Sequence, residues 1–166
     1  NNVRITDYRE LLHLSCRLLR EGKVIAAKGI GGYHLICDAA NKYAVARLRE
    51  IKQRDSKPFA VMFRSVEQLK EYVEADPVEE ACLMSWRRPI VLLKQKKPLA
   101  AEINKDMKTL GCMLPYMPLH YDWFAALDIS ALVMTSGNLS DSPIAITPEE
   151  ADEQLSGKVS LLLHHN

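Results

Sequence analysis

"NKYAVARLREIKQRDSKPFAVMF", residues 41–63, decides the fold. Asn41 is a good N-cap, and Val45, Leu48 and Ile51 or Lys52 recur at helical spacing, which predicts a helix running to about Gln53. Pro58 cannot continue a helix, and "PFAVMF" is a short apolar run of strand type. A helix that feeds a buried strand across a charged loop is a unit of α/β architecture.

The same alternation continues in both directions. Asp7 with Glu10 predicts a helix over 8–20 that stops at Gly22, followed by a strand in "KVIAAKG", a turn in "GIGGYH" and a short strand in "LICDA". Beyond Phe63, Ser65 and Gln68 open a helix through about Val73. Asp76, Pro77 and Glu79 open another that ends near Trp86. "RPIVLLK" reads as a central strand, "QKKPLAAEINKD" as a surface loop and "TLGCMLPY" as a strand; Pro118 opens a helix through Leu127. "ALVMTS" is a strand that runs into "GNLSDSP", Thr147, Pro148 and Glu150 start the last helix, and "VSLLLH" is the last strand. Open α/β sheets bind ligands beyond their strand ends, where the unusual loops fall.

At 166 residues the chain suits one domain, here 1–166, with 48% apolar and 26% charged residues as in ordinary globular proteins. No apolar run approaches the roughly 20 residues of a membrane-spanning helix. Net charge is only +1, yet residues 42–57 hold six cations against Glu50 and Asp55, so the positive field is local. Cys16, Cys37, Cys82 and Cys112 form no C-x-x-C pair and read as reduced, mostly buried thiols of a cytoplasmic protein. The chain starts without Met or a signal peptide, which fits either a mature protein or an excised part of a longer one.

Three loops stand out as able to carry chemistry: "GIGGYH" at 29–34, "KQRDSKP" at 52–58 and "TSGNLSDSP" at 135–143. Lys52, Arg54 and Lys57 lie where a helix ends; the helix dipole favours cations there, and a phosphate-bearing ligand would relieve their mutual repulsion. For Arg47 and Arg49 the helix dipole or simple solvation suffices. "TSGN" at 135–138 offers two hydroxyls, a glycine that a ligand can approach and a carboxamide, suited either to phosphate or ribose oxygens or to a turn bonding its own backbone. "GIGGYH" matches neither a Walker loop nor a dinucleotide fingerprint. His34 and His120 are open to acid–base or structural roles, and no order of nucleophile and base is legible.

Taken in order, "GGYHLICDA", "KQRDSKPFAVM", "RRPIVLL", "LGCMLPYMPLH" and "LVMTSGNLSDSPI" resemble the YrdC-like domain family over roughly residues 20–165, in the version of the HypF-type carbamoyltransferases of [NiFe] hydrogenase maturation. Stand-alone members make threonylcarbamoyl-adenylate for tRNA modification. Their loop tyrosine, Lys-x-Arg and Ser-x-Asn fall on Tyr33, on Lys52 and Arg54, and on Ser136 and Asn138. The chain departs from them at Met113, where they carry arginine, and at Gly137, where they carry alanine.

The resemblance implies a YrdC-like twisted open mixed sheet flanked by helices, with a concave basic cleft. It implies an excised central domain. Acylphosphatase-like and zinc-finger modules would precede it in the parent chain, and a carbamoyl-transfer domain would follow. The implied activity is ATP-dependent formation of carbamoyl-adenylate from carbamate, itself derived from carbamoyl phosphate, with pyrophosphate released. A maturation partner with an acceptor cysteine would take the carbamoyl group. On this reading Lys52 and Arg54 are catalytic, and Lys57, Thr135, Ser136 and Asn138 hold the nucleotide. Tyr33 and His34 border the substrate pocket, and Mg2+ assists without a protein cage. The alternatives are threonylcarbamoyl-adenylate synthesis and an RNA-binding module, including the double-stranded RNA binding known at family level.

Overall fold

The computed structural model describes residues 5–53, 57–105, 107–139 and 142–164. Along the chain run α1 (Tyr8–Arg20), β1 (Ile25–Lys28), β2 (Tyr33–Asp38), α2 (Lys42–Lys52), β3 (Ala60–Phe63), α3 (Val66–Lys70) and β4 (Val73–Glu74). There follow α4 (Pro77–Met84), β5 (Val91–Gln95), β6 (Thr109–Met113), α5 (Pro118–Ala126), β7 (Ala131–Ser136), α6 (Pro148–Leu155) and β8 (Leu162–Leu163). The strands form one twisted open sheet in the order β4, β5, β6, β3, β7, β2, β1, β8. It is mixed: β3 runs parallel to β6 and β1 to β8, and the other pairs are antiparallel.

The capping chemistry places most helices where the sequence puts them. Asp76 with Glu79 and Thr147 with Glu150 each close a reciprocal capping box with proline in the first turn, so α4 and α6 start as read. Asn41 accepts from the amides of Tyr43 and Ala44, and Gln53 closes α2 in the left-handed region at φ 47°.

Four readings are corrected. The helix after Ser65 stops at Lys70, because Val73 and Glu74 pair with Gln95 and Lys94 as the edge strand β4. The "RPIVLLK" strand is consequently next to the edge and not central; Leu92 on its uncovered face is 69% exposed. β2 starts at Tyr33, inside the stretch read as a turn. The 95–106 loop is no mere surface excursion, since it buries Ala100, Ile103 and Asn104, and the carbonyl of Ile103 accepts from the amide of Phe59.

Alternation along the central strands divides the core in two. One face buries Leu35, Cys37, Val61, Phe63 and Val133 beneath α2, α3 and α6. The other buries Ile36, Met62, Leu132 and Met134 beneath α1 and α5. There Trp123 donates to Ser15 Oγ at 2.9 Å and joins the two helices through a satisfied buried polar pair. Cys16, Cys37 and Cys112 are buried and Cys82 is exposed, and all four are free thiols. No helix of the described residues is long and apolar enough to cross a membrane.

Arg49 is not solvated, as its sequence reading held, but only 8% exposed. Its guanidinium donates to the carbonyls of Glu102 (2.6 Å), Ile103 (3.2 Å) and Lys57 (3.3 Å) and lies 4.5 Å over the Phe59 ring. One planar fork thus binds α2 to the approach to β3 and to the 95–106 loop, which an ammonium on a flexible stem cannot reproduce. Arg49→Ala should cost about 2 to 4 kcal/mol in urea unfolding, and Arg49→Lys should recover less than half of that.

His120 is buried against the edge of the Tyr116 ring and stacks on Trp123. Burial first, and then the neighbouring His34, push its pKa down to about 4. The unfolded chain, with a histidine near its ordinary pKa of about 6.5, then binds a proton that the fold refuses. This contribution to stability is complete above about pH 6.5 and is lost as pH falls towards 4. His120→Gln should flatten that acid limb in a pH series of thermal melts.

Candidate functional site

Two of the three loops that looked chemical, those after Lys52 and after Thr135, meet at one end of the sheet. β3 pairs with β7 through Ala60 and Met134, so the approach to β3 and the end of β7 lie side by side, and β2 begins there too, with His34 opposite Ser136. α2 delivers its last residue, Lys52, to this point.

Lys52 is 3% exposed. Its Nζ donates to the Ser136 carbonyl (2.8 Å), the Asn138 carbonyl (2.7 Å) and Asn138 Oδ1 (2.7 Å), with Ser136 Oγ at 3.3 Å. Ser136 Oγ also donates to Asn138 Oδ1 at 2.6 Å, and the Asn138 amide donates to the Ser142 carbonyl. The expected pairing of Lys52 with Ser136 and Asn138 is therefore physical contact. In this conformation the ammonium shapes the turn. Arg54 lies outside the described residues. Lys57 is exposed beside Pro58, its carbonyl held by Arg49.

The turn's geometry corrects another reading. What closely approaches Gly137 is the protein itself: a Cβ there would stand 2.7 Å from the Tyr33 backbone, and the Gly137 amide donates to the Tyr33 carbonyl at 2.6 Å. Tyr33 N–H in turn donates to Ala145. The strand start, the turn and the segment before α6 are thereby laced together through backbone bonds.

Tyr33 and His34 do not face the same way, since successive residues of a strand point to opposite faces. Tyr33 is fully buried, with its hydroxyl bonded to His164 Nδ1. Burial, followed by Asp152 and Glu149, pushes its pKa up to about 12. His34 shares a face with Ser136, and burial pushes its pKa down. Thr135, opposite Leu35, is buried on the other face from Ser136.

Two concavities lie elsewhere among the described residues. One of about 510 Å3, lined by Leu11, Met117, Leu119 and Leu163 among others, is apolar and reaches His164. The other, of about 280 Å3, is lined by Lys94, Lys96 and Lys108. Because β3 and β6 are parallel, Lys57 and Lys108, which precede them, stand at the same sheet end, so positive charge spreads along it. No group of three or more His, Cys, Asp or Glu side chains able to hold a metal occurs among the described residues.

Sequence reasoning missed Arg49 and the proximity of His34 to His120. The signal for Arg49 was present, because 45, 48, 49 and 52 follow the i, i+3, i+4, i+7 spacing of one helix face. Nothing local in the sequence linked His34 on β2 with His120 on α5, whose electrostatic influence depends on the tertiary fold.

Residues 17–166 match the Sua5/YciO/YrdC family, described as "Telomere recombination". The carbamoyltransferase HypF of Rhodobacter capsulatus is 42% identical over 157 residues, which cover 95% of this chain and 21% of that relative. A threonylcarbamoyl-AMP synthase of Vibrio campbellii is 26% identical over 153 residues, covering 89% and 82%. Among solved structures, full-length HypF in its phosphate- and nucleotide-bound form superposes with a TM-score of 0.90 at 49% identity, covering 93% of this chain and 25% of that one. The chain spans about a fifth of the length of the curated carbamoyltransferases it matches. With one model matching nearly its whole length and the eight-stranded sheet in agreement, the chain belongs to the Sua5/YciO/YrdC family.

Proposed function

We propose that this chain forms carbamoyl-adenylate from ATP and carbamate, as one domain of a HypF-type carbamoyltransferase. The observation that carries the reading is the convergence of Lys52 with Ser136 and Asn138 at a sheet end bearing further cations. The nucleotide-bound relative at 49% identity supports it.

In this reaction a carbamate oxygen attacks the α-phosphorus. A P–O bond forms, the bond to the bridging α,β-oxygen breaks, and pyrophosphate leaves with the electron pair. Carbamate is already anionic and pyrophosphate is a good leaving group, so the site must align the reactants and neutralise charge more than move protons. Lys52, Arg54 and Lys57 would meet the phosphates, with Ser136 and Asn138 on the α-phosphate or ribose. Thr135 would support the turn from the opposite face. Mg2+ would assist by neutralising charge on the triphosphate. The parent chain would supply carbamate from carbamoyl phosphate through an acylphosphatase-like domain, alongside zinc-finger modules. Its carbamoyl-transfer domain would pass the product to a maturation partner with an acceptor cysteine.

Threonylcarbamoyl-adenylate synthesis is the second reading, favoured by the likeness to threonylcarbamoyl-AMP synthases. Met113 argues against it. That side chain is buried with Met62, Met134 and Trp123, an apolar setting that offers an amino-acid carboxylate no charge.

Calorimetry with ATP and Mg2+, and carbamate-dependent exchange of pyrophosphate into ATP, test the proposal. Lys52→Met and Asn138→Ala should each lower exchange by about 30-fold to 1,000-fold, equivalent to about 2 to 4 kcal/mol of transition-state stabilisation. Exchange within a few fold of wild type in both variants, or stimulation by threonine in place of carbamate, would refute it.

A further inference from the structure

Tyr33 stands where the sequence suggests a substrate contact, yet the residue is 0% exposed and its ring is turned to the sheet face opposite His34 and Ser136. What reaches the site is its backbone. The Tyr33 carbonyl accepts from the Gly137 amide at 2.6 Å, its own N–H donates to the Ala145 carbonyl at 2.9 Å, and the Ala145 amide donates to the Gly137 carbonyl at 3.2 Å. These three bonds brace the turn whose Ser136 and Asn138 hold Lys52. Whatever fixes the Tyr33 ring therefore bears on the turn as well.

The ring is held by His164. β8 sets Leu163 opposite Ala27, which lies opposite His34, so the next residue along, His164, falls on the face of Tyr33. The two side chains meet across the intervening strand β1: the Tyr33 hydroxyl lies 2.5 Å from His164 Nδ1, and the rings stand edge to face with centroids 5.6 Å apart. His164 is the one hydrogen-bond partner of that hydroxyl among the described residues. Were the hydroxyl to accept from an Nδ1–H, its own buried proton would be left without an acceptor. The phenol therefore donates, Nδ1 accepts, and the imidazole carries its proton on Nε2.

We infer that His164 is a positioning residue for the adenylation: from the edge of the sheet it holds the Tyr33 ring, and through the Tyr33 backbone it sets the turn that carries Ser136, Asn138 and the Lys52 contacts. The inference rests on the adenylation reading above and adds to it a residue outside the two site loops. It gives a fully buried tyrosine a part in the reaction that needs no contact with substrate.

His164→Leu, His164→Asn, Tyr33→Phe and the double variant His164→Leu with Tyr33→Phe test it. Asparagine can place an acceptor near the position of Nδ1, and leucine cannot. In 1H–15N spectra of the chain, His164→Leu should shift the Gly137 amide proton upfield and speed its hydrogen exchange at least about fivefold as the bond to Tyr33 loosens. Carbamate-dependent exchange of pyrophosphate into ATP, measured where every variant is folded, should fall at least about fivefold because a displaced turn misaligns the reactants. Tyr33→Phe should lose as much, the double variant no more than either single one, and His164→Asn should recover most of the loss. Ser15→Ala, which removes the buried partner of Trp123 on the other face, controls for stability: it should lower the melting temperature and leave both readouts within about twofold of wild type. An unmoved Gly137 amide in both His164→Leu and Tyr33→Phe, losses that add in the double variant, or a His164→Asn variant as impaired as His164→Leu would overturn the proposal. Should His164→Leu fail to fold, Tyr33→Phe, which keeps the ring, decides by the same two readouts. A wild-type chain without pyrophosphate exchange refutes the adenylation reading, and the Gly137 amide still decides whether His164 sets the turn.

Discussion

The bonds from Lys52 Nζ to the turn after β7 are the contact on which the rest of the site depends. They join the last residue of a helix to a turn more than eighty positions away, and they do so at the sheet end where β2, β3 and β7 come together. An ammonium nearly removed from water is stable only when oxygens replace its hydration shell, so Lys52 and the "TSGN" turn define each other's geometry. Arg49, one helical turn earlier on the same face, fixes the other side of the charged loop by binding the carbonyls of Lys57, Glu102 and Ile103. Two cations of a single helix thus bind the β7 turn and the Lys57 carbonyl.

This arrangement separates two kinds of basic residue that look alike in sequence. Arg47, paired with Glu50, is 54% exposed at its side chain and belongs to the surface. Arg49 and Lys52 are buried and spend their donors on backbone and side-chain oxygens. Residue type did not distinguish them, but helical phase did, since only Arg49 and Lys52 share the face of Val45 and Leu48.

Much of the fold was legible because it rests on local rules. Caps and first-turn prolines set α4 and α6, and continuous apolar runs set β1, β3 and β7. What failed depended on pairing. Nothing in Val73 and Glu74 announces a two-residue strand; they become one because Gln95 and Lys94 lie alongside. The place of β5 near the edge follows from the crossover order, which local pattern does not encode. In the site, Lys52 touches Ser136 and Asn138, residues that the ordered motifs had grouped. The motif that names Tyr33 and His34 side by side says nothing of the pleat that sends them to opposite faces, and Gly137 proved to be a packing requirement set by the Tyr33 backbone.

The distribution of the four thiols gives the fold a built-in chemical reporter. Cys37 and Cys112 sit on the two sides of β3's neighbourhood with their ionisation suppressed by burial, that of Cys112 up to about pH 12, whereas Cys82 is exposed on α4. Alkylation requires the thiolate and access to it, so the native chain takes up one label readily at Cys82 and further labels only as it opens. The rate of that additional labelling measures how often the sheet centre becomes accessible, and the Cys82 label supplies a fixed spectroscopic reference remote from the Lys52 network.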